Sequence, residues 1–179
     1  MACGWSVTLR GSELGAVSGD SLLRRVVRAW LGLPTWLRWS PPIAVMAVLW
    51  WSSGRSPTPR APDPLWSLLH NGMHVVAYAT LAVVTWGAVR RSVLDNARRS
   101  SVVAWSVAVA YGVVDELHQS FVDDRVCSVC DLASDACGAL LGVMALAAWF
   151  DRRSVRAWHW LAAVVAAAGC VLAATCTDW

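Results

Sequence analysis

Three stretches of the sequence combine histidine, acidic, amide and tyrosine side chains at helical spacing. They are His70, His74 and Tyr78; Asp115, Glu116, His118 and Gln119; and Asp131 and Asp135. Side chains three or four residues apart share one face of a helix. Imidazole and carboxylate groups on facing helices can hydrogen-bond a polar ligand or exchange protons as general acids and bases. If the three helices adjoin, these faces form one polar site.

The segments that carry these residues are apolar. The chain has 179 residues, mean hydropathy +0.48, 57% hydrophobic and 15% charged residues, whereas a soluble domain has about 25% charged residues. Apolar segments lie near 36–53, 66–88, 101–121, 129–150 and 157–177, and a helix needs about 20 residues to cross the hydrocarbon. We therefore predict an all-α, polytopic bundle of about five transmembrane helices. Pro41 and Pro42 predict that the first helix begins near Ser40.

Three regions are predicted along the chain. Residues 1–35 form a cytoplasmic N-terminal segment, in which 21–33 is a basic amphipathic helix or a simple arginine-rich flank of the first span. Residues 36–150 form a four-helix membrane core, and 151–179 add a C-terminal transmembrane helix. The use of arginine for all 15 basic residues suggests a bacterial origin and hence the inner membrane.

Arginine placement predicts the orientation of the bundle. Twelve of the 15 arginines lie before span one, after span two or after span four, and three lie on the opposite side. The positive-inside rule then places the N-terminus in the cytoplasm and the C-terminus outside. Because the arginines fall between apolar spans and not on one face, nucleic-acid binding is excluded.

This orientation puts nearly all of the polar residues in the outer half of the bundle. Charged groups at membrane depth are costly, so we expect the three faces to meet in a polar pocket open to the outside. Gly138 and Gly142 continue the Asp131–Asp135 stripe and predict close approach of a neighbouring helix. One alternative is that the polar groups only pair with one another and stabilise the helix packing. Another is that some of these side chains extend to the membrane surface.

The sequence also resembles a known family. WSSGRSP at 51–57, HNGMHVVAY at 70–78 and DELHQSFVDDRVCSVCDLASDACGALLG at 115–142 are similar to the VanZ-like membrane proteins, named for a component of a glycopeptide-resistance cluster that raises teicoplanin resistance. The matching residues are Ser53, His74, Tyr78, Asp115, Glu116, His118, Gln119, Phe121, Arg125, Asp131, Gly138 and Gly142. The chain departs from the family pattern at Asn71–Gly72, at Asp123–Asp124 and at Asp135, where the family has asparagine.

Metal and thiol chemistry are weaker interpretations. Cys127 and Cys130 form a single CxxC, which favours two ordinary thiols or a local disulfide over a redox pair or a zinc site. His70, His74, Asp115 and His118 could bind zinc only if two helices present them to one point. We therefore predict no metal and no cofactor.

Three functions remain open from the sequence. The first is binding of an amphiphilic cell-wall lipid precursor or lipoglycopeptide, in which Arg125 holds an anionic group while Gln119 and Tyr78 hydrogen-bond the ligand. The second is an enzyme acting on such a lipid, with Glu116 or His118 as the catalytic base. The third is a proton or cation transporter. Membrane lipids are the expected surroundings in each case.

Overall fold

The computed structural model describes residues 22–55, 63–90, 96–123, 128–150 and 156–177. Within these ranges the chain forms helices and no strands, which confirms the all-α prediction. The helices are α1 (Leu22–Leu31), α2 (Thr35–Arg38), α3 (Ser40–Ser53), α4 (Pro64–Val89), α5 (Ala97–Gln119), α6 (Val129–Phe150) and α7 (Ala157–Thr177).

Four helices, α4 to α7, are long and apolar enough to cross a membrane. Together with α3 they give the predicted bundle of about five helices. The segment 36–53 is not one continuous helix, because it is divided at Trp39 into α2 and α3. Helix α3 begins at Ser40 with prolines at its first positions, as predicted, because proline has no N–H to leave unpaired in the first turn of a helix.

Helix α4 lies at the centre and packs against α3, α5, α6 and α7. Its closest partner is α6, because Gly138 and Gly142 face the α4 backbone at Val75 and Ala79. A methyl group on Gly142 would lie 2.6 Å from the carbonyl oxygen of Ala79. The close approach predicted for this glycine pair is therefore confirmed.

The interior is built from small side chains and a few large ones. Ala82, Ala104, Ala108 and Ala139 are fully buried around Tyr78. Small residues let membrane helices approach closely. Large apolar side chains also lie on the outside of the bundle, where they suit contact with lipid; they include Met73, Val76, Val102, Leu161 and Val165.

Charge separates the two ends of the bundle. Every acidic side chain among the described residues lies at the end where α3 and α5 finish and α4 and α6 begin. These residues are Asp63, Asp115, Glu116, Asp123, Asp131 and Asp135. We call this the acidic end. The opposite, arginine end carries Arg25, Arg28, Arg38, Arg90, Arg98, Arg99 and Arg156.

The predicted N-terminal helix is present as α1. Trp30 at its end donates from Nε1 to the carbonyl oxygen of Gly87 on α4, at 3.1 Å. This contact holds α1 against the arginine end of the bundle. Residues 1–21, the rest of the predicted N-terminal tail, lie outside the described residues.

Candidate functional site

Asp115 bonds to two side chains where α3 meets the last turns of α5. The Ser53 hydroxyl donates to Asp115 Oδ1 at 2.7 Å, and Gln119 donates from Nε2 to Asp115 Oδ2 at 3.3 Å. The carboxylate is only 2% exposed. Both of its oxygens are therefore satisfied by neutral donors, which lowers the cost of burying the charge.

The same serine contacts His118. Ser53 Oγ lies 3.2 Å from His118 Nδ1, and the imidazole stacks on the Trp50 ring with centroids 3.7 Å apart. A methyl group on Gly54 would lie 3.1 Å from His118 Cε1. The end of α3 thus fixes the imidazole from one face and one edge.

A second polar pair joins α4 to α6. His74 Nδ1 lies 3.0 Å from Asp135 Oδ1, and the Asp135 side chain is fully buried. Asp135 Oδ2 and Tyr78 Oη are buried without a hydrogen-bond partner among the described residues. Both side chains face Gly112, where an added methyl group would lie 3.1 Å from Asp135 Oδ2 and 3.4 Å from the Tyr78 ring.

Two further carboxylates lie near this pair. Glu116 is 3% exposed, and its Oε2 accepts from the backbone N–H of Ser128 at 2.7 Å. Asp131 is 9% exposed on the first turn of α6. Asp135 of α6 bonds to His74 of α4 and lies against Gly112 of α5. The three polar faces recognised in the sequence therefore converge at the acidic end.

A cavity of about 370 Å³ lies between α3, α4 and α5 at this end. Its polar wall consists of Ser52, Ser53, His70, His74, Asp115 and Gln119, and its apolar wall of Val48, Leu49, Met73 and Ala77. Val48 and Met73 are each 61% exposed on the outer surface of the bundle. The cavity is therefore bordered on one side by polar groups, of which Ser53, Asp115 and Gln119 are buried, and on the other by a lipid-facing surface.

The predicted site residues take different positions around this cavity. His74, Asp115 and Gln119 line it, whereas Tyr78, Glu116, His118, Asp131 and Asp135 are not among its lining residues. Arg125 and Cys127 lie outside the described residues. Within the described ranges, no group of three or more potential ligands could hold a metal ion. The residues considered as zinc ligands, His70, His74, Asp115 and His118, therefore do not come together at one point.

Two residues that contact His118, namely Ser53 and Trp50, were not assigned a role from the sequence. Ser53 is recognisable in the sequence only through the family-like WSSG run, because a serine at the end of an apolar helix has no distinctive spacing. Trp50 is equally hard to single out from the sequence, because it is one of 13 tryptophans in the chain. Only the position of α3 against α5 identifies these two as partners of His118.

Comparison with known proteins gives one match. A family model described as VanZ/LLP1 matches residues 20–150, a range that contains α1 to α6 and all of the polar groups described above. No curated protein and no solved structure matches the chain significantly.

Proposed function

This chain belongs to the VanZ/LLP1 family, and we propose that its acidic-end cavity holds the polar group of an amphiphilic cell-envelope molecule. The candidates are a lipid-linked cell-wall precursor and a lipoglycopeptide such as teicoplanin. Holding a lipoglycopeptide away from its target contributes, in this proposal, to glycopeptide resistance.

One observation carries the proposal: the cavity combines a polar wall with an apolar border on the lipid side. Asp115 and Gln119 lie on the polar wall, and Val48 and Met73 lie at the border. An amphiphile needs both surfaces, since its head seeks hydrogen bonds while its chain stays in lipid. A volume of about 370 Å³ falls in the range of about 300–1,000 Å³ that is typical of small-ligand sites.

The polar wall suits hydroxyl and amine groups. Asp115 supplies carboxylate oxygens, Gln119 an amide, and His70 and His74 imidazole nitrogens. Sugars and amino sugars present the complementary donors and acceptors. In the proposal, Arg125, which follows α5 in the sequence, supplies the positive charge for an anionic part of the ligand.

The ligand comes from the outer leaflet if the arginine end faces the cytoplasm. Most of the described arginines lie at that end, whereas Arg55 lies at the acidic end. The positive-inside rule favours this orientation. The proposal therefore places the chain in a bacterial inner membrane with the cavity facing the envelope.

A steric block of the cavity tests the proposal. Ser52 is exposed and borders the cavity, and its hydroxyl donates to the Leu49 carbonyl of its own helix, so Ser52→Trp fills the space without disturbing the core. Val113→Trp is the matched control, because Val113 is 42% exposed on α5 and does not border the cavity. The measurement is binding of teicoplanin and of its deacylated core to the purified chain in nanodiscs.

We expect S52W to weaken teicoplanin binding at least tenfold and V113W to leave it unchanged. The deacylated core should bind more weakly, because it lacks the chain that contacts the apolar border. Equal binding by S52W and wild type would refute the cavity as the site. In a sensitive host, teicoplanin susceptibility should follow the same order at equal membrane abundance of the three proteins.

A second candidate function, acyl transfer, is favoured by the contacts of Ser53. Its hydroxyl lies 2.7 Å from Asp115 Oδ1 and 3.2 Å from His118 Nδ1, and a nucleophile with an adjacent base is the arrangement of serine acyl-transfer enzymes. Ser53 Oγ would attack an ester carbonyl and pass its proton to Asp115 or His118. Collapse of the tetrahedral adduct would expel the alcohol, and water would then release the acid.

The two candidates differ in their response to an active-site phosphonylating probe. A fluorophosphonate should add covalently to Ser53 of the wild-type chain and not to Ser53→Ala if acyl transfer is the function. Mass spectrometry of the labelled chain identifies the modified residue. Absence of labelling, with teicoplanin binding intact in both proteins, would leave binding as the function.

A further inference from the structure

A second cavity, of about 790 Å³, lies at the arginine end between α2, α4 and α5. Its polar lining is Thr35, Arg38, Asn96, Arg99 and Ser100, and none of the described lining residues is acidic. On α4, the residues that line it are Ala88 and Val89, whereas those that line the acidic-end cavity lie between His70 and Ala77. The two cavities therefore occupy opposite ends of the bundle.

The buried cation of this cavity is Arg38, which is only 6% exposed. It donates from Nη1 to the backbone carbonyl of Arg90 and from Nη2 to Thr35 Oγ1 at 3.4 Å. Its Nε is buried without a hydrogen-bond partner among the described residues, and no carboxylate of the described chain pairs with it. A buried guanidinium with only neutral partners leaves most of its charge uncompensated.

The surroundings add positive charge and further donors. Arg99 lines the same cavity. The side-chain oxygen of Asn96 accepts from the backbone N–H groups of Arg98 and Arg99, so its amide NH₂ is the end left to donate. Arg90 and Arg98 add positive charge at the same end of the bundle. All of these features favour an anion with several acceptor oxygens.

We propose that this arginine-end cavity binds a phosphate group, with Arg38 and Arg99 as the two cationic contacts. Arginine matches the oxygens of a phosphate with paired donors. Val103, which is 38% exposed on α5, borders the cavity together with the half-buried Trp39. The phosphate of an anionic phospholipid can reach the cavity from this lipid-facing side, and basic pockets between membrane helices are known lipid-headgroup sites. A soluble phosphate compound presents the same chemistry.

The chain offers a matched pair of variants for the test. Arg99→Gln removes a cation that lines the cavity, whereas Arg98→Gln removes its exposed neighbour, which does not line it. Arg38→Gln removes the buried cation but also its bond to the Arg90 carbonyl, so it is the secondary variant. The purified full chain in detergent is titrated separately with phosphatidylglycerol, phosphatidylcholine and inorganic phosphate. Native mass spectrometry counts bound lipid, and the thermal unfolding midpoint reports phosphate binding.

We expect wild type to bind phosphatidylglycerol at least tenfold more tightly than phosphatidylcholine. R99Q should lose about fivefold in that affinity, the equivalent of about 1 kcal/mol for one cation near a membrane surface, and R98Q should bind as wild type does. Stabilisation by inorganic phosphate alone, lost in R99Q and kept in R98Q, would support the site with a soluble phosphate compound as its ligand. Equal binding of the two lipids without any effect of phosphate would overturn the proposal, and so would equal losses in R98Q and R99Q.

Discussion

His74 and Asp135 form a buried polar pair across α4 and α6, with Nδ1 and Oδ1 3.0 Å apart. His74 directly precedes Val75, and Asp135 lies about one helical turn before Gly138, where the two backbones touch. Close packing of the two helices therefore places the imidazole and the carboxylate within hydrogen-bonding distance. The helix packing and the polar contact depend on each other at this point, but they can be disturbed separately by substitution.

Asp135→Ala should lower the amount of folded protein in the membrane. It leaves the largely buried His74 imidazole without its hydrogen-bond partner, and leaving a buried polar group unsatisfied typically costs about 1–3 kcal/mol. The control is Asp123→Ala, because Asp123 is exposed after the end of α5. A membrane-fraction immunoblot compares the two variants at equal expression. If both accumulate like wild type, the His74–Asp135 pair does not hold α4 against α6.

Gly142→Ala should destabilise the bundle, whereas Gly169→Ala should not. A methyl group on Gly142 would lie 2.6 Å from the Ala79 carbonyl oxygen, and one on Gly169 would have no neighbour within 4 Å. Forcing two packed backbones apart costs about 1–3 kcal/mol, while an open helical glycine gains up to about 1 kcal/mol on replacement by alanine. Thermal unfolding in detergent measures both. Equal midpoints for the two variants would contradict the close α4–α6 contact.

Helical periodicity was sufficient to predict which polar faces exist. The spacing of His70, His74 and Tyr78 and the Gly138–Gly142 pair are both local patterns, and a helix converts them directly into faces. The start of α3 at Ser40 was predictable for the same reason, since proline acts locally on the first turn of a helix.

Which groups pair across helices was not predictable from one sequence. The pairing of His74 with Asp135, and of Asp115 with Ser53, depends on the rotation and depth of three helices relative to one another. These are set by the packing of small residues over the whole bundle. The buried Arg38 was also missed as a binding residue, because the sequence shows it only as one of many arginines that satisfy the positive-inside pattern.

Reporter fusions should place the arginine end in the cytoplasm. We expect a cytoplasmic signal from fusions after Arg99 and after Arg153, and an external signal from fusions after Arg60 and at Trp179. The reason is the excess of arginine in the N-terminal segment and in the loops after α4 and α6. Paired alkaline phosphatase and green fluorescent protein fusions give opposite readouts at each point. A cytoplasmic signal at Trp179 would mean that α7 does not span or that the whole bundle is inverted.

Substitutions at the end of α5 should remove function while leaving the protein in the membrane. Glu116→Gln keeps the size of a side chain that accepts from the Ser128 N–H, and His118→Ala removes a ring that is stacked on Trp50 at the surface end of α3. Both groups lie in the last turn of a helix, so their loss disturbs the core less than loss of Asp135. We expect either variant, and Arg125→Ala, to abolish the proposed effect on teicoplanin susceptibility at nearly normal abundance.

The matched control for these three variants is the double substitution of Cys127 and Cys130 by serine. Neither thiol has a role in the proposed cavity, so this variant should retain the wild-type phenotype. Susceptibility of a sensitive host is measured beside the membrane immunoblot for every variant. If the double cysteine variant loses the phenotype while the Glu116, His118 and Arg125 variants keep it, the functional chemistry lies in the loop between α5 and α6 and not around the acidic-end cavity.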